Sequence, residues 1–379
     1  MRGRRRANLG AVQANRTSST SIKKSLSRAW YYATAIGASL AGSASAQMGD
    51  GAGVALNDVH FHLTNYVQRG PDIHEFLKMM GDSVGRVALF GIPLQQEWRA
   101  DINGDHGPTY YLQSDAPLYY YSFTDAFIAM QYRSLTPAQQ ARFDPMITGF
   151  NPGDLYAADH IRRVLKVFPG VFTGIGEFTI HKEFVSDKAD PGPASLLNPA
   201  LDSVLAAAGD IGLVVLIHND MDVPFASDTT YPAYLDDMKA LIRRHPGTTI
   251  IWAHTGVGRV VRPVTHHAKV IEAMLADPAF KNLYFDMSWD IVAKYFMSTP
   301  ETVAATADVL NRYPDRFLFG TDALAPRNAA AYLTTDNLYA PLWATLSPDA
   351  RAKVRIGNYE RLFDTARRKV RAWEAAHAK

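Results

Sequence analysis

Two stretches decide how this chain folds: Gly212-Leu-Val-Val-Leu-Ile-His218 and Thr248-Thr-Ile-Ile-Trp-Ala-His254. Both are continuously apolar up to a terminal histidine. A strand with one face in water alternates apolar and polar residues. A run without alternation is buried on both faces, as in a parallel sheet covered by helices. Working outward, six further runs share the character: Val54–His60, Gly85–Ile92, Pro145–Phe150, Val171–Phe178, Leu283–Met287 and Arg316–Asp322. Helix-like segments fall between them, at Ile73–Met80, Ala158–Val167, Ala200–Ala208, Tyr234–Arg244, Val270–Leu275 and Ala304–Tyr313. Strand–helix alternation implies parallel strands joined by helical crossovers. Eight such units in about 330 residues predict one α/β domain, a (β/α)8 TIM barrel. An open doubly wound sheet, which normally has fewer strands, is the structural alternative.

One connection is unusually long. Gln95 to Asp144 carries Trp98, Tyr110, Tyr111, Tyr119, Tyr120, Tyr121 and Phe123 among several Gly, Pro and Asp. A loop of that length in a compact domain is a lid, a binding loop or disorder, and the aromatic content opposes disorder. Residues 95–144 are therefore expected to form a lid-like insertion after strand two. The domain as a whole is expected to span 47–379.

Of 379 residues, 39 are basic and 37 acidic, a formal charge of +2, and 47% are hydrophobic, which excludes global disorder. The charge is unevenly spread. Eight basic residues and no acidic one lie between Met1 and Ala46, so the remainder holds 31 basic and 37 acidic residues, a net −6. Lys23-Lys24-Ser-Leu-Ser-Arg28 precedes an uncharged run, Ala29 to Gly42, and then Ala44-Ser45-Ala46. That order is the pattern of a signal peptide over 1–46, cleaved after Ala46, with a periplasmic or secreted product. A disordered basic leader is the alternative, and Arg4-Arg5-Arg6 raises twin-arginine export. The apolar run is too short for a membrane anchor. The acidic body lacks the basic stripe of a nucleic-acid binder, so the expected partner is a small-molecule substrate, with an oligomer allowed. There is no cysteine, so a metal would have to sit on imidazole and carboxylate.

In a parallel barrel the active site lies at the carboxyl ends of the strands. The polar residues ending the runs are His60 and His62, Glu177, His218, His254 and Asp322. A lone histidine there is ordinarily structural. Five strand ends that supply only metal-competent groups are not ordinary. In His60-Phe-His62 the two imidazoles, at i and i+2, point to one side of the strand, while Phe61 turns into the packing.

The ordered set Asp58-Val-His60-Phe-His62, Gly174-Ile-Gly-Glu177, Ile217-His218, Trp252-Ala-His254-Thr-Gly256 and Phe319-Gly-Thr-Asp322 resembles the amidohydrolase superfamily. Within it the likeness is to the amidohydrolase-related, aminocarboxymuconate-semialdehyde decarboxylase-like group, whose closing segment Ile356–Phe363 also resembles. It covers roughly 54–365. The resemblance implies a distorted (β/α)8 barrel with one or two divalent ions, Zn2+ foremost, at the strand ends. It implies His60, His62, His218 and Asp322 as metal ligands, and His254 as a second-metal ligand or an acid/base group. Glu177 stands where many members carry a bridging carboxylated lysine, and Lys182 is not expected to replace that lysine. With Asp322 and His254 as catalytic residues, the expected reaction is hydrolysis of an ester, lactone or amide by metal-activated water. Nonoxidative decarboxylation of a carboxylated aromatic or muconate-like substrate is the alternative, and a non-enzymatic binding protein a further one. Arg259, Arg262 and Trp289 are the expected substrate-binding residues, the arginines for a carboxylate.

Overall fold

A computed structural model describes residues 54–377, apart from 191, 193–194 and 228–229. The expected leader, 1–46, lies outside the described residues. The described residues form eleven strands: β1 (Leu56–His62), β2 (Val84–Phe90), β3 (Leu94–Gln96), β4 (Leu118–Tyr120), β5 (Phe143–Ile147), β6 (Gly174–Thr179), β7 (Val214–His218), β8 (Thr249–Trp252), β9 (Leu283–Met287), β10 (Phe317–Phe319) and β11 (Ala323–Leu324). Nine make one sheet, in the order β10-β9-β8-β7-β6-β5-β2-β1-β11, and every pairing in it is parallel.

β10 and β11 belong to one passage of chain. Its start pairs with β9, Phe317 opposite Phe285, and its end pairs with β1, Phe61 opposite Ala323. The sheet thereby returns to its first strand, and the architecture is a distorted (β/α)8 barrel. Helices Ile73–Met80, Ala157–Val167, Pro199–Ile211, Leu235–Arg244, His267–Ala276 and Pro300–Arg312 form the outer ring.

The two-residue period of a strand sorts the core into two layers. Val59, Ala88, Phe90, Met146, Leu216, Ile251 and Leu318 face the barrel interior, which the last helix (Asn358–Ala376) plugs with Tyr359, Leu362 and Phe363. Phe61, Leu89, Ile147, Val215, Trp252 and Phe285 face the helices. Phe61 stacks on Phe76 of the first outer helix, with ring centroids 3.8 Å apart. Beneath the barrel, Asp144 of β5 is fully buried and accepts hydrogen bonds from Arg86, Arg367 and Tyr359. This anchors the plug to β2 and β5.

The connection from β2 to β5 differs in its bounds from the expected 95–144. Helix Phe123–Arg133 occupies the ordinary crossover position, and Asp144 already belongs to β5. The segment 91–122 precedes that helix. It carries the antiparallel pair β3–β4, Leu94 opposite Tyr120. Lys188 Nζ holds its loop by donating to the carbonyls of Tyr111 and Ser114, at 2.5 and 2.6 Å. No helix among the described residues is long and apolar enough to cross a membrane.

Candidate metal centre

The six side chains singled out at strand ends meet at one point, all of them buried apart from a slight exposure of Asp322. His60 Nε2 and His62 Nε2 lie 3.2 Å apart. Asp322 Oδ1 is 3.3 Å from the first and 3.1 Å from the second. Glu177 Oε2 is 3.7 and 3.4 Å from the same two atoms. Its other oxygen, Oε1, faces His218 Nδ1 at 2.6 Å and His254 Nε2 at 3.6 Å. Glu177 thus turns one oxygen to each histidine pair.

The backbone is bent to achieve this. Among the described non-glycine residues, His254, Thr255, Trp289 and Asp322 have φ of 56°, 54°, 76° and 49°. Such conformations cost of order 1–3 kcal/mol each and persist where surrounding structure enforces them, typically at functional sites. Gly176, before Glu177, has φ of 113°, and a Cβ there would stand 2.0 Å from the carbonyl oxygen of Leu216. Only glycine lets β6 approach β7 so closely.

A hydrogen-bond relay fixes the imidazole tautomers. Ser288 Oγ donates to Asp286 Oδ2 at 2.6 Å. Having spent its proton there, it accepts from His254 Nδ1 at 2.8 Å. His60 Nδ1 donates to the same Asp286 oxygen at 2.7 Å. With both Nδ1 atoms protonated, Nε2 is the ring nitrogen that each of His60 and His254 turns to the cluster, and neutral His254 presents a bare lone pair there. His254 Nε2 is buried without a hydrogen-bond partner.

Charge is strongly coupled here. Burial pushes the Glu177 carboxyl up, but Lys182, His60 and His218 outweigh it and hold the group well below the usual range. Burial likewise opposes ionisation of Asp322, and His60, His62 and His254 pull its carboxyl down. Burial pushes the His254 imidazole down, keeping it neutral. For His60, burial lowers the imidazole while Asp322, Glu177 and Asp286 raise it well above its ordinary value. Without a cation the two carboxylates are thus ionised and His60 carries a proton beside them, which a bound cation would displace.

A family model described as amidohydrolase matches residues 58–365. The chain belongs to the amidohydrolase family. The family is metal-dependent, and the donor set of this amidohydrolase fits a cation: imidazole nitrogens and carboxylate oxygens converge, and the Nε2 lone pair of His254 is bare. The ligand-capable groups His60–His62–Glu177, His60–His254–Asp322 and Glu177–His218–His254 each lie within 4.8 Å. Among solved structures, the putative 2-pyrone-4,6-dicarboxylic acid hydrolase of Pseudomonas putida is similar, at 12% identity and TM-score 0.50 over 83% of this chain and 99% of that one. The 4-oxalomesaconate hydratase of Rhodopseudomonas palustris is similar at 14% identity and TM-score 0.50 over 85% and 99%. At these identities the likeness is one of fold. No curated protein matches the sequence.

The amidohydrolase brings in residues that were not expected. Asp286 lies one residue before the end of the seventh apolar run, Leu283–Met287, and is its only carboxylate, so a signal was available. Ser288 gave none. Lys182, discounted in the sequence, is buried, with Nζ 3.5 Å from Glu177 Oε1 and 5.6 Å from the centroid of Trp289. Asp58 ties the barrel's closure. Its Oδ1 accepts from the backbone N–H of His60 and Thr321, and its Oδ2 from the hydroxyls of Thr321 and Tyr332. Burial pushes its carboxyl up to about 6 despite those bonds.

Above the cluster, a cavity of about 60 Å³ is lined by Tyr66, Tyr110, Tyr111, Lys182 and Trp289 over His62 and Asp322. Trp289 lies 5.1 Å from the His254 ring. Arg259 stacks on Trp289 at 5.4 Å, and its Nη2 donates to Tyr110 Oη at 2.9 Å. Arg262 stands apart from its expected place. Its side chain is exposed and reaches Tyr295 rather than the cluster.

Proposed function

We propose that the protein is a metal-dependent hydrolase acting on an ester, lactone or amide bond of a small carboxylated substrate. One observation carries the reading. Glu177 directs Oε2 toward His60 and His62 and Oε1 toward His218 and His254, while Asp322 Oδ1 closes the first pair. His60, His62, Asp322 and Glu177 Oε2 would hold one cation, and His218, His254 and Glu177 Oε1 would hold a second. The second shares Oε1 with the Lys182 ammonium and is the weaker of the two. Imidazole with carboxylate suits Zn2+. A cation held there would make water nucleophilic near neutral pH and polarise the carbonyl.

The chain's own groups do the rest. Asp322, held ionised by the surrounding imidazoles, takes the proton from the attacking water as the new carbon–oxygen bond forms. It returns that proton to the leaving oxygen or nitrogen as the old bond breaks. Neutral His254, oriented by Ser288, lies beside the developing oxyanion. Lys182 and Arg259 offer cationic groups to a substrate carboxylate, and Trp289 with the Tyr66–Tyr111 wall excludes water.

Metal analysis followed by a panel of lactones, esters, amides and aromatic carboxylates tests the reading. Hydrolysis by the metal-loaded protein, lost by about 10²–10⁴-fold in Asp322→Asn, is the expected result. Release of CO2 with no hydrolysis would assign the decarboxylase reading instead. An Asp322→Asn protein that keeps its metal and its full turnover would remove Asp322 from the proton path. For the leader we propose export with cleavage after Ala46, tested by N-terminal sequencing of the mature protein, which is expected to begin at Gln47.

A further inference from the structure

The cavity above the cluster is too small for an organic substrate. It measures about 60 Å³, against roughly 300–1,000 Å³ for a typical small-molecule site. A wall therefore has to move, and most of the wall is fixed. Tyr66, Ile92 and Trp289 are buried, and Leu324 is held in β11 opposite His62 of β1. Tyr111 is 1% exposed. Its hydroxyl donates to Glu183 Oε1 at 3.2 Å, and Lys188 grips its carbonyl.

Tyr110 is different. It lines the cavity, is half-buried, and belongs to the connection between β3 and β4, where residues 104–107 and Thr109 are exposed. Arg259 Nη2 ties its hydroxyl down at 2.9 Å. Arg259 does not line the cavity itself, but it contacts two of the wall residues, Tyr110 through that bond and Trp289 through the stack. Its side chain is 31% exposed, so the guanidinium is not sealed in. Glu183 Oε1 stands 4.0 Å from its Nε, beyond hydrogen-bond reach. In the closed site the guanidinium thus gives an Nη donor to a neutral phenol. A carboxylate is the better partner, because charge-assisted bonds are roughly twice as strong and the planar fork takes both oxygens at once. Lys182, the other cation at the wall, faces Glu177 Oε1 at 3.5 Å and is engaged there.

We propose that Tyr110 is the gate of the site and Arg259 its latch, and that the same guanidinium anchors the carboxylate of an incoming substrate once the phenol ring swings aside. The inference rests on the carboxylated-substrate reading above. It makes Arg259 act with opposite sign on two classes of ligand. Every ligand has to open the gate, and its affinity is reduced by the fraction of protein that is open. An anionic ligand recovers that loss at Arg259. A neutral one takes the guanidinium from its phenol and returns no charge.

Calorimetric titration of the full chain in the presence of Zn2+ tests this, with benzoate and benzamide, which share a shape and differ in charge. Tyr110→Phe keeps the ring and removes the acceptor, so it is expected to tighten both probes by a similar factor of at least threefold. Arg259→Met keeps a side chain over Trp289 and removes latch and anchor together. It is expected to tighten benzamide at least threefold and to weaken benzoate at least threefold. A packing role for Arg259 would move both probes the same way, and that result would overturn the proposal. Affinities in Tyr110→Phe within twofold of the unaltered protein would do the same, and that arm remains readable if Arg259→Met fails to fold. No binding of either probe by any of the three proteins would also overturn it. Equal affinity of the unaltered protein for benzoate and benzamide would remove the anchoring role together with the carboxylated-substrate reading, whereas the gate is decided by Tyr110→Phe alone.

Discussion

Ser288 sits between two imidazoles and a carboxylate, and its single proton decides what each of them can do. With the proton on Asp286, Ser288 Oγ accepts from His254 Nδ1 and leaves Nε2 bare. Partners that orient ligating histidines are typically worth 10–100-fold in metal affinity or activity. Ser288→Ala is therefore expected to lose metal affinity or turnover by about tenfold or more, while Ser288→Thr, which keeps the Oγ, recovers most of it. Metal titration and initial rates check this, and a change below about twofold in Ser288→Ala would take the relay out of the account.

His267 makes a separate prediction about pH. Its imidazole is neutral in the fold, held down to about 4 from 6.5 by burial. As pH falls below 6.5 the unfolded chain takes up a proton that the folded one refuses until about 4. Stability must therefore decrease across that window, by roughly 3 kcal/mol for this group when fully developed. The non-titrating His267→Gln should show a shallower loss of melting temperature between pH 7 and 4 than the unaltered protein. Parallel curves over that range would refute the assignment.

At the scale of elements, β5 and the last helix are joined through Asp144, which receives Arg86 from β2 and Arg367 and Tyr359 from the plug. Removing one partner of a buried ion pair costs about 3–5 kcal/mol, because the other charge is left without compensation. Asp144→Ala should lower unfolding free energy in denaturant by about that amount, with kcat of the folded protein little changed, since the cluster lies at the opposite strand ends. A cost under about 1 kcal/mol would mean that the arginines find solvent instead.

The same elements show what was legible beforehand. Runs such as Val214–Ile217 are apolar at every position because they are buried on both faces, and that is visible in composition alone. The strand ends were legible for the same reason: a histidine or carboxylate after such a run has only the mouth to occupy. Asp286 lies inside its run rather than after it, and was visible as the one carboxylate of β9. The β3–β4 pair was hidden, since three-residue strands rich in Tyr and Gln carry no period. Lys182 and Ser288 were hidden because they lie beyond their strands, where only tertiary structure decides whether a side chain turns inward. Arg262 is the converse. Proximity to Arg259 in sequence placed it near the substrate, and the turn after Gly258 sends it outward.

For the whole molecule, a cation held by the proposed ligands would have a mechanical consequence. Those side chains come from β1, β6, β7, from the turn after β8, and from Asp322, on the passage between β10 and β11 that closes the barrel. Held together, they cross-link the first strand to the last. A ligand that binds only the folded chain stabilises it by RT ln(1 + [L]/Kd), about 2.7 kcal/mol when its free concentration is a hundred times Kd. Chelation should thus lower the melting temperature in proportion to the logarithm of free metal, and re-addition should restore it. Two steps are expected, the second weaker because Lys182 competes at Glu177 Oε1. Lys182→Met should strengthen the second step while leaving the first in place, and Glu177→Gln should weaken both, since that carboxylate serves each. Melting curves that ignore chelator, in protein shown by elemental analysis to have been metal-loaded, would separate the cluster from the barrel's stability. A single step unaltered by Lys182→Met would reduce the centre to one cation.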